Sequence, residues 1–88
     1  MKNIENKVAF ITGAASGIGF EIAMSMADNK VNLMLSDKSE ENLKIAKKKI
    51  LDQNKSKNLH IDYVVCDVSD YNQMHQAANY TLEVFKKI

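Results

Sequence analysis

All 3 glycines of this 88-residue chain, Gly13, Gly17 and Gly19, fall in a single octapeptide, TGAASGIG (12–19). The run before it, KVAFIT (7–12), is short and apolar and ends at glycine, as a buried strand does. After it, Ile18, Ile22 and Met26 recur at every fourth position with Ala23 and Ala27 beside them. That spacing predicts a helix from Ile18 to about Asn29 with an apolar, small-residue face. The chain must therefore turn sharply from strand to helix where side chains are missing, and few folds need that.

The same alternation continues downstream. VNLMLS (31–36) predicts a second strand. SEENLKIAKKKILDQ (39–53) predicts a second helix, with Ser39 as its cap and Leu43, Ala46 and Ile50 as its buried stripe. Glu40 and Glu41 open that helix and Lys47, Lys48 and Lys49 lie toward its end, an order that complements the helix dipole. LHIDYVVC (59–66) predicts a third strand. Ser69 then caps a third helix that presents Met74, Ala78, Thr81 and Phe85 on one face and runs to the last residue. The expected class is α/β, a βαβαβα unit with a three-stranded parallel sheet in the order 3-2-1 and right-handed crossovers. The continuous apolar runs VAFI and LML fit strands buried on both faces.

Composition excludes several alternatives. The chain is 45% apolar and 26% charged, ordinary for a folded domain and unlike a disordered one. A net charge of +1 gives no field for nucleic acid or an anionic membrane. No apolar run approaches the ~18 residues that span a bilayer. The lone cysteine, Cys66, has no internal disulfide partner, favours a cytoplasmic location and reads as a buried strand residue. His60 and His75 lack ligand-like spacing to Cys66 or to each other, so no metal site is expected.

The glycine run sits where a phosphate site needs it. A helix N-terminus offers unpaired backbone N–H groups and the positive end of the dipole, and side chains would block a pyrophosphate from them. Gly13 would allow the sharp turn, Gly17 the approach of the backbone to the ligand, and Gly19 the close packing of the helix on the first strand. Ser16 adds a hydroxyl. The Gly-x3-Gly-x-Gly spacing is neither the G-x-G-x-x-G fingerprint nor a Walker loop. Taken alone, the three glycines also fit an ordinary tight turn.

Two further features narrow the choice. Asp37 ends the second strand, 18 residues beyond Gly19, where a carboxylate can accept both adenosine ribose hydroxyls and repel a 2′-phosphate. Asp67 and Val68 follow the third strand, where the carboxylate can meet the adenine amino group and the valine can pack on the ring. Taken singly, each also reads as a turn acid before a helix. Together the three features fall at the C-terminal ends of successive parallel strands, where open α/β sheets bind ligands.

In this arrangement the octapeptide resembles the TGxxxGxG signature of the short-chain dehydrogenase/reductase family, and the acids in SD (36–37) and CDVSD (66–70) match that family's cofactor positions. The TGxxGxxG spacing of the extended branch is not matched. The resemblance covers essentially the whole chain. It implies a Rossmann fold, binding of NAD or NADP, and hydride transfer between the nicotinamide and an alcohol or carbonyl carbon. It assigns the pyrophosphate to the backbone from Gly13 to Gly19, Ile18 included, the ribose to Asp37, and adenine to Asp67 and Val68. Asp37 favours NAD, while Lys38 beside it is the kind of cation that takes a 2′-phosphate.

The family's Asn-Asn-Ala-Gly motif, catalytic serine and Tyr-x-x-x-Lys pair have no counterpart in these residues. Four residues beyond Tyr63, Tyr71 and Tyr80 stand Asp67, His75 and Val84 rather than lysine. No catalytic residue is therefore assigned, and the tyrosines read as structural or surface residues. The expectation is a partial dinucleotide-binding domain over 1–88, cut short before a fourth strand, inactive by itself, from a parent that is an oxidoreductase and a homo-oligomer. A non-catalytic half-domain that binds nucleotide or completes its sheet with another chain is the other reading.

Overall fold

A computed structural model describes residues 7–85 of the chain. Strand β1 (Val8–Thr12) leads through the glycine turn into helix α1 (Gly17–Asp28). Strand β2 (Asn32–Asp37), helix α2 (Glu40–Gln53), strand β3 (Ile61–Val65) and helix α3 (Tyr71–Phe85) follow, with a short 3-10 turn at Lys55–Lys57. The sheet is parallel with β2 between β1 and β3, the order expected from the sequence. Phe10 and Asp62 both stand level with Met34, so side chains alternate in step across the three strands.

The alternation divides the sheet into two faces. Leu33 and Leu35 point to one, where they pack with Ala23 and Ala27 of α1 and Leu43, Ala46 and Ile50 of α2. Full burial of such aliphatic side chains contributes roughly 1.5–3 kcal/mol each, which makes this layer the main source of stability. Phe10, Met34 and Ser36 point to the other face. There α3 lies, its Tyr80 hydroxyl donating to Asp62 Oδ2 at 3.3 Å and its Thr81, Leu82 and Phe85 lining a cavity with Val8. The helices thus change faces after β3. In open α/β sheets of this kind ligands bind beyond the C-terminal ends of the strands, the end of β1 among them.

Local chemistry explains the element ends. Ser39 Oγ accepts from Asn42 N at 3.2 Å and caps α2, as its sequence indicates. Helix α1 ends without a glycine: Lys30 takes φ +65°, its N–H donates to Ala27 O, and Val31 N–H donates to Met26 O. This is the Schellman bonding pattern with a lysine at the left-handed position.

Five expectations are corrected. The buried stripe of α1 is Ala23 and Ala27, aligned with Gly19, while Ile18 is 75% exposed and Ile22 is 43% exposed. Small residues let the helix approach the sheet, so the face is rotated by one residue, about 100°. On α3 the buried small residue is Ala77 and not Ala78. The cap of α3 is Asp70, whose Oδ1 accepts from Gln73 N at 3.1 Å, rather than Ser69. The last turn of α2 holds no basic residue, so its lysines lie a turn too early to meet the negative end of the dipole. The third strand is shorter than expected, and Cys66 lies one position beyond it, buried, with its Sγ 3.3 Å from Met74 Sδ. The expected run of α3 beyond Phe85 lies outside the described residues.

Candidate functional site

The C-terminal ends of the three strands are stitched together by backbone hydrogen bonds. Ala14 N–H donates to Ser36 O at 3.0 Å and Cys66 N–H donates to Asp37 O at 2.8 Å. These bonds carry the ladder past the last strand residues and bring the glycine turn, Asp37 and the Asp67–Val68 segment to one edge of the molecule.

Each glycine of the turn has its own physical reason. Gly13 and Gly17 take φ values of +61° and +59°, which L side chains adopt only with strain, and a Cβ on either would face open space. Gly19 has an ordinary φ, but a Cβ there would overlap the carbonyl of Gly13, itself part of the turn. So Gly19 sets the distance between α1 and the turn, while Gly13 and Gly17 shape a surface that nothing in the described chain covers.

The start of α1 is unusual for this chain. Ser16 is its N-cap residue, yet the Ser16 side chain makes no cap hydrogen bond and no acid stands in the first turn. Helix α2, by contrast, begins with Ser39 bonded in place and with Glu40 and Glu41. The N–H groups and positive dipole end at α1 are thus left without a side-chain counterpart, the condition in which a helix end attracts an anionic oxygen.

Asp37 is half-buried at the end of β2. Its Oδ2 accepts from Ala15 N at 3.1 Å and its Oδ1 accepts from Lys38 N. A carboxylate oxygen has lone pairs for more than one donor, so capacity for hydroxyl groups remains. Asp67 is held within its own turn, its Oδ1 accepting from both Ser69 N (2.9 Å) and Ser69 Oγ (2.7 Å). The Ser69 hydroxyl and N–H hold the Asp67 carboxyl below the usual carboxylate value, with the Lys38 charge adding to them. Val68, beside it, is 56% exposed.

The sequence-derived residues therefore lie at one edge, with Gly13, Ser16, Gly17, Ile18 and Gly19 on the turn, Asp37 in the middle, and Asp67 and Val68 beyond. Two of the tyrosines are engaged with acids outside the predicted site, while Tyr71, which opens α3 after the Asp67–Val68 turn, is exposed and stacks on His75. Tyr63 donates to Glu40 Oε2 at 3.2 Å and Tyr80 to Asp62. Sequence reasoning missed the part played by Ala15, whose backbone N–H joins the turn to Asp37; a main-chain donor leaves no side-chain signal. It also missed Lys49, which sits next to Ile50 of the buried stripe and shares a cavity with Ala15 and Ser16. Among the described residues no group of three or more His, Cys, Asp or Glu side chains has metal-binding geometry, and no helix is long and apolar enough to cross a membrane.

A parallel sheet wound in this way, with a glycine turn into its first helix and an acid at the end of its second strand, is the N-terminal half of a Rossmann fold. Comparison with known proteins agrees. The family description "short chain dehydrogenase" matches residues 7–88. A CLA biosynthesis dehydrogenase/reductase of Lactiplantibacillus plantarum is 36% identical over 88 residues, which are 100% of this chain and 29% of that protein. The crystal structure of an alcohol dehydrogenase from the archaeon Thermococcus sibiricus, complexed with 5-hydroxy-NADP, aligns at a TM-score of 0.82 with 31% identity, covering 92% of this chain and 33% of that one. A short chain dehydrogenase/reductase from Burkholderia phymatum in complex with NAD aligns at 0.80 with 32% identity, covering 98% and 29%. The chain belongs to the short-chain dehydrogenase family. It spans about a third of the length of the curated relatives it matches (36%, 29% and 31% of three of them).

Proposed function

We propose that this chain is the cofactor-binding N-terminal portion of an NAD(P)-dependent oxidoreductase, whose whole protein moves a hydride between nicotinamide and an alcohol or carbonyl carbon. The dinucleotide would supply or accept the hydride. The residues of this chain bind and orient it. The backbone from Gly13 to Gly19, with Ile18, holds the pyrophosphate at the start of α1, and Ser16 adds its hydroxyl. Asp37 accepts the ribose hydroxyls, the Asp67 carboxylate meets the adenine amino group, and Val68 packs on the ring.

The observation that carries this reading is the open, positively polarised start of α1 beside a carboxylate already bonded to the glycine turn. Asp37 favours NAD over NADP, because a 2′-phosphate would meet a negative charge at the ribose. Solved relatives complexed with each cofactor type support a nicotinamide dinucleotide in general. The sequence carries no counterpart of the family's catalytic serine or Tyr-x-x-x-Lys pair, which supports the reading that the 88-residue piece has no dehydrogenase activity by itself. The whole protein acts on a small alcohol or carbonyl compound as a cytoplasmic homo-oligomer.

Isothermal calorimetry of the chain with NAD tests this reading. Saturable one-to-one binding that is lost in Gly17→Glu, which puts a carboxylate at the start of α1, is the expected result. Absence of binding, or binding unchanged by Gly17→Glu, overturns it.

A further inference from the structure

A groove of about 330 Å³ lies on the flank formed by α2 and the outer strand β3, lined by Lys44, Lys47, Lys48, Leu51, Asp52 and Tyr63. It stands beside the middle of β3, where Tyr63 is level with Leu35, and not past the strand ends where the proposed cofactor residues lie. Leu51 and Tyr63 are half-buried and give it an apolar floor. Its wall is cationic, since three lysines against one aspartate leave an excess of two positive charges. Lys44 and Lys48 are four residues apart and Lys44 and Lys47 three, spacings at which like charges repel on a helix surface. Among the described residues no acid forms an ion pair with any of the three.

Two contacts shape the space. Lys47 Nζ stands 5.8 Å from the centroid of the Tyr63 ring, within the range of a cation–π contact. The Tyr63 hydroxyl donates to Glu40 Oε2 at 3.2 Å, which fixes the far end of the ring. Along α2, Glu40 and Asp52 bracket the lysines at about 18 Å from each other, so the cationic stretch is short. The strand edge beside the groove is closed to an added strand. The backbone N–H of Tyr63 donates to Asp62 Oδ1 at 2.8 Å, so the middle of that edge already has its acceptor. A partner therefore meets this flank with side chains.

We propose that this groove docks a short acidic segment of a partner protein, with Asp or Glu side chains on Lys44, Lys47 and Lys48 and an apolar side chain against Leu51 and Tyr63. The inference is independent of the dinucleotide reading. Charge complementarity selects the occupant. A nucleic acid carries a charge on every residue and would run onto Glu40 and Asp52 at the two ends, whereas a segment with a few acids fits between them.

The test titrates the isotope-labelled chain with a synthetic peptide that carries glutamates around one leucine, followed by backbone amide shifts. Saturable changes are expected on Lys44 to Asp52 and on Tyr63, and none with the same peptide bearing glutamine in place of glutamate. Lys44→Gln and Lys48→Gln change exposed positions, and each is expected to weaken the peptide about threefold, the scale of an exposed charge pair. Affinity falls further in about 0.5 M salt, where the Debye length is about 4 Å. Lys49→Gln removes the same charge one residue on, but that ammonium stands over Phe20 on the other flank of α2, so it changes the affinity by less. Equal weakening by Lys49→Gln would show attraction to net charge alone and overturn the groove. Failure of the peptide to bind, binding that survives the glutamine replacement, tighter binding of an oligothymidylate at the same residues, or free glutamate binding as tightly as the peptide also overturns it.

Discussion

The backbone N–H of Ala15 donates to Oδ2 of Asp37 across 3.1 Å, joining the glycine turn to the end of the second strand over 22 residues of sequence. The carboxylate proposed to meet a ribose thus also fixes the turn proposed to meet a pyrophosphate. Both parts of the site depend on one side chain, and the turn is shaped before any ligand arrives.

Asp37→Ala therefore has two effects. It removes a charged acceptor from Ala15, so exchange of the Ala15 amide with solvent speeds up. It also removes the ribose contact and the repulsion of a 2′-phosphate together. NAD affinity is expected to fall by about tenfold or more, the scale of a hydrogen bond to a charged group, and NADP affinity by less. Calorimetry with both cofactors checks this. An unchanged NAD to NADP ratio contradicts the ribose assignment, and an unchanged Ala15 exchange rate contradicts the tie to the turn.

The glycines should not be equivalent. A Cβ at Gly19 meets backbone that cannot swing aside, whereas a Cβ at Gly17 meets open space and only a strained φ. Overpacking of this kind costs roughly 1–3 kcal/mol, and left-handed backbone in a residue with a side chain costs roughly 1–2 kcal/mol. Gly19→Ala is expected to lower the urea midpoint more than Gly17→Ala does. The reverse order in denaturation curves would show that α1 does not press on the turn in this way.

Lys30 offers the opposite case. It holds the left-handed position that ends α1, at φ +65°, where glycine carries no Cβ penalty. Lys30→Gly trades that penalty against the greater freedom of glycine in the unfolded chain, for a net gain of about 0.5–1 kcal/mol. Chemical denaturation measures it, with Lys30→Ala, which keeps the Cβ and removes the rest of the side chain, as the reference; Lys30→Gly no more stable than Lys30→Ala would contradict the left-handed penalty at this position.

The Asp67 carboxyl is held low by the Ser69 hydroxyl and N–H, with Lys38 adding to them. A folded-state pKa below the unfolded value means that the contribution of Asp67 to stability is present above the ordinary value of 3.8 and is lost as pH falls through the depressed one. Ser69→Ala should move the Asp67 titration midpoint upward, as followed by NMR of its carboxyl carbon. A midpoint that stays put would show that the turn is not closed by Ser69.

Much of this was legible in the residues. The strand–helix alternation, the sheet order, the stripe Leu43, Ala46 and Ile50, and the cap at Ser39 all follow from period and side-chain chemistry. Packing decided the rest. The face of α1 was misread because periodicity weighs Ile18 and Ile22 above Ala23 and Ala27, while a helix pressed close to a sheet selects the small residues. The Asp70 cap was missed because Ser69 and Asp70 are adjacent and both can cap, and the bond from Ser69 to Asp67 settles which one does. The stop of α1 carried no signal, since Lys30 stands where glycine is usual. At the site, the acids could be placed by strand ends, but the tie through Ala15 runs through backbone and has no sequence mark.

The central claim is that the strand-end edge holds a dinucleotide by its adenosine and pyrophosphate. Mapping of backbone amide shifts as NAD is added to the isotope-labelled chain tests it most directly. The account predicts that the largest changes fall on Gly13 to Gly19, with Ile18 among them, and on Asp37, Asp67 and Val68, while the outer face of α3 stays still. Changes centred on the cavity of Lys44, Lys47, Lys48 and Tyr63, or on Val8 and Leu82, would contradict it.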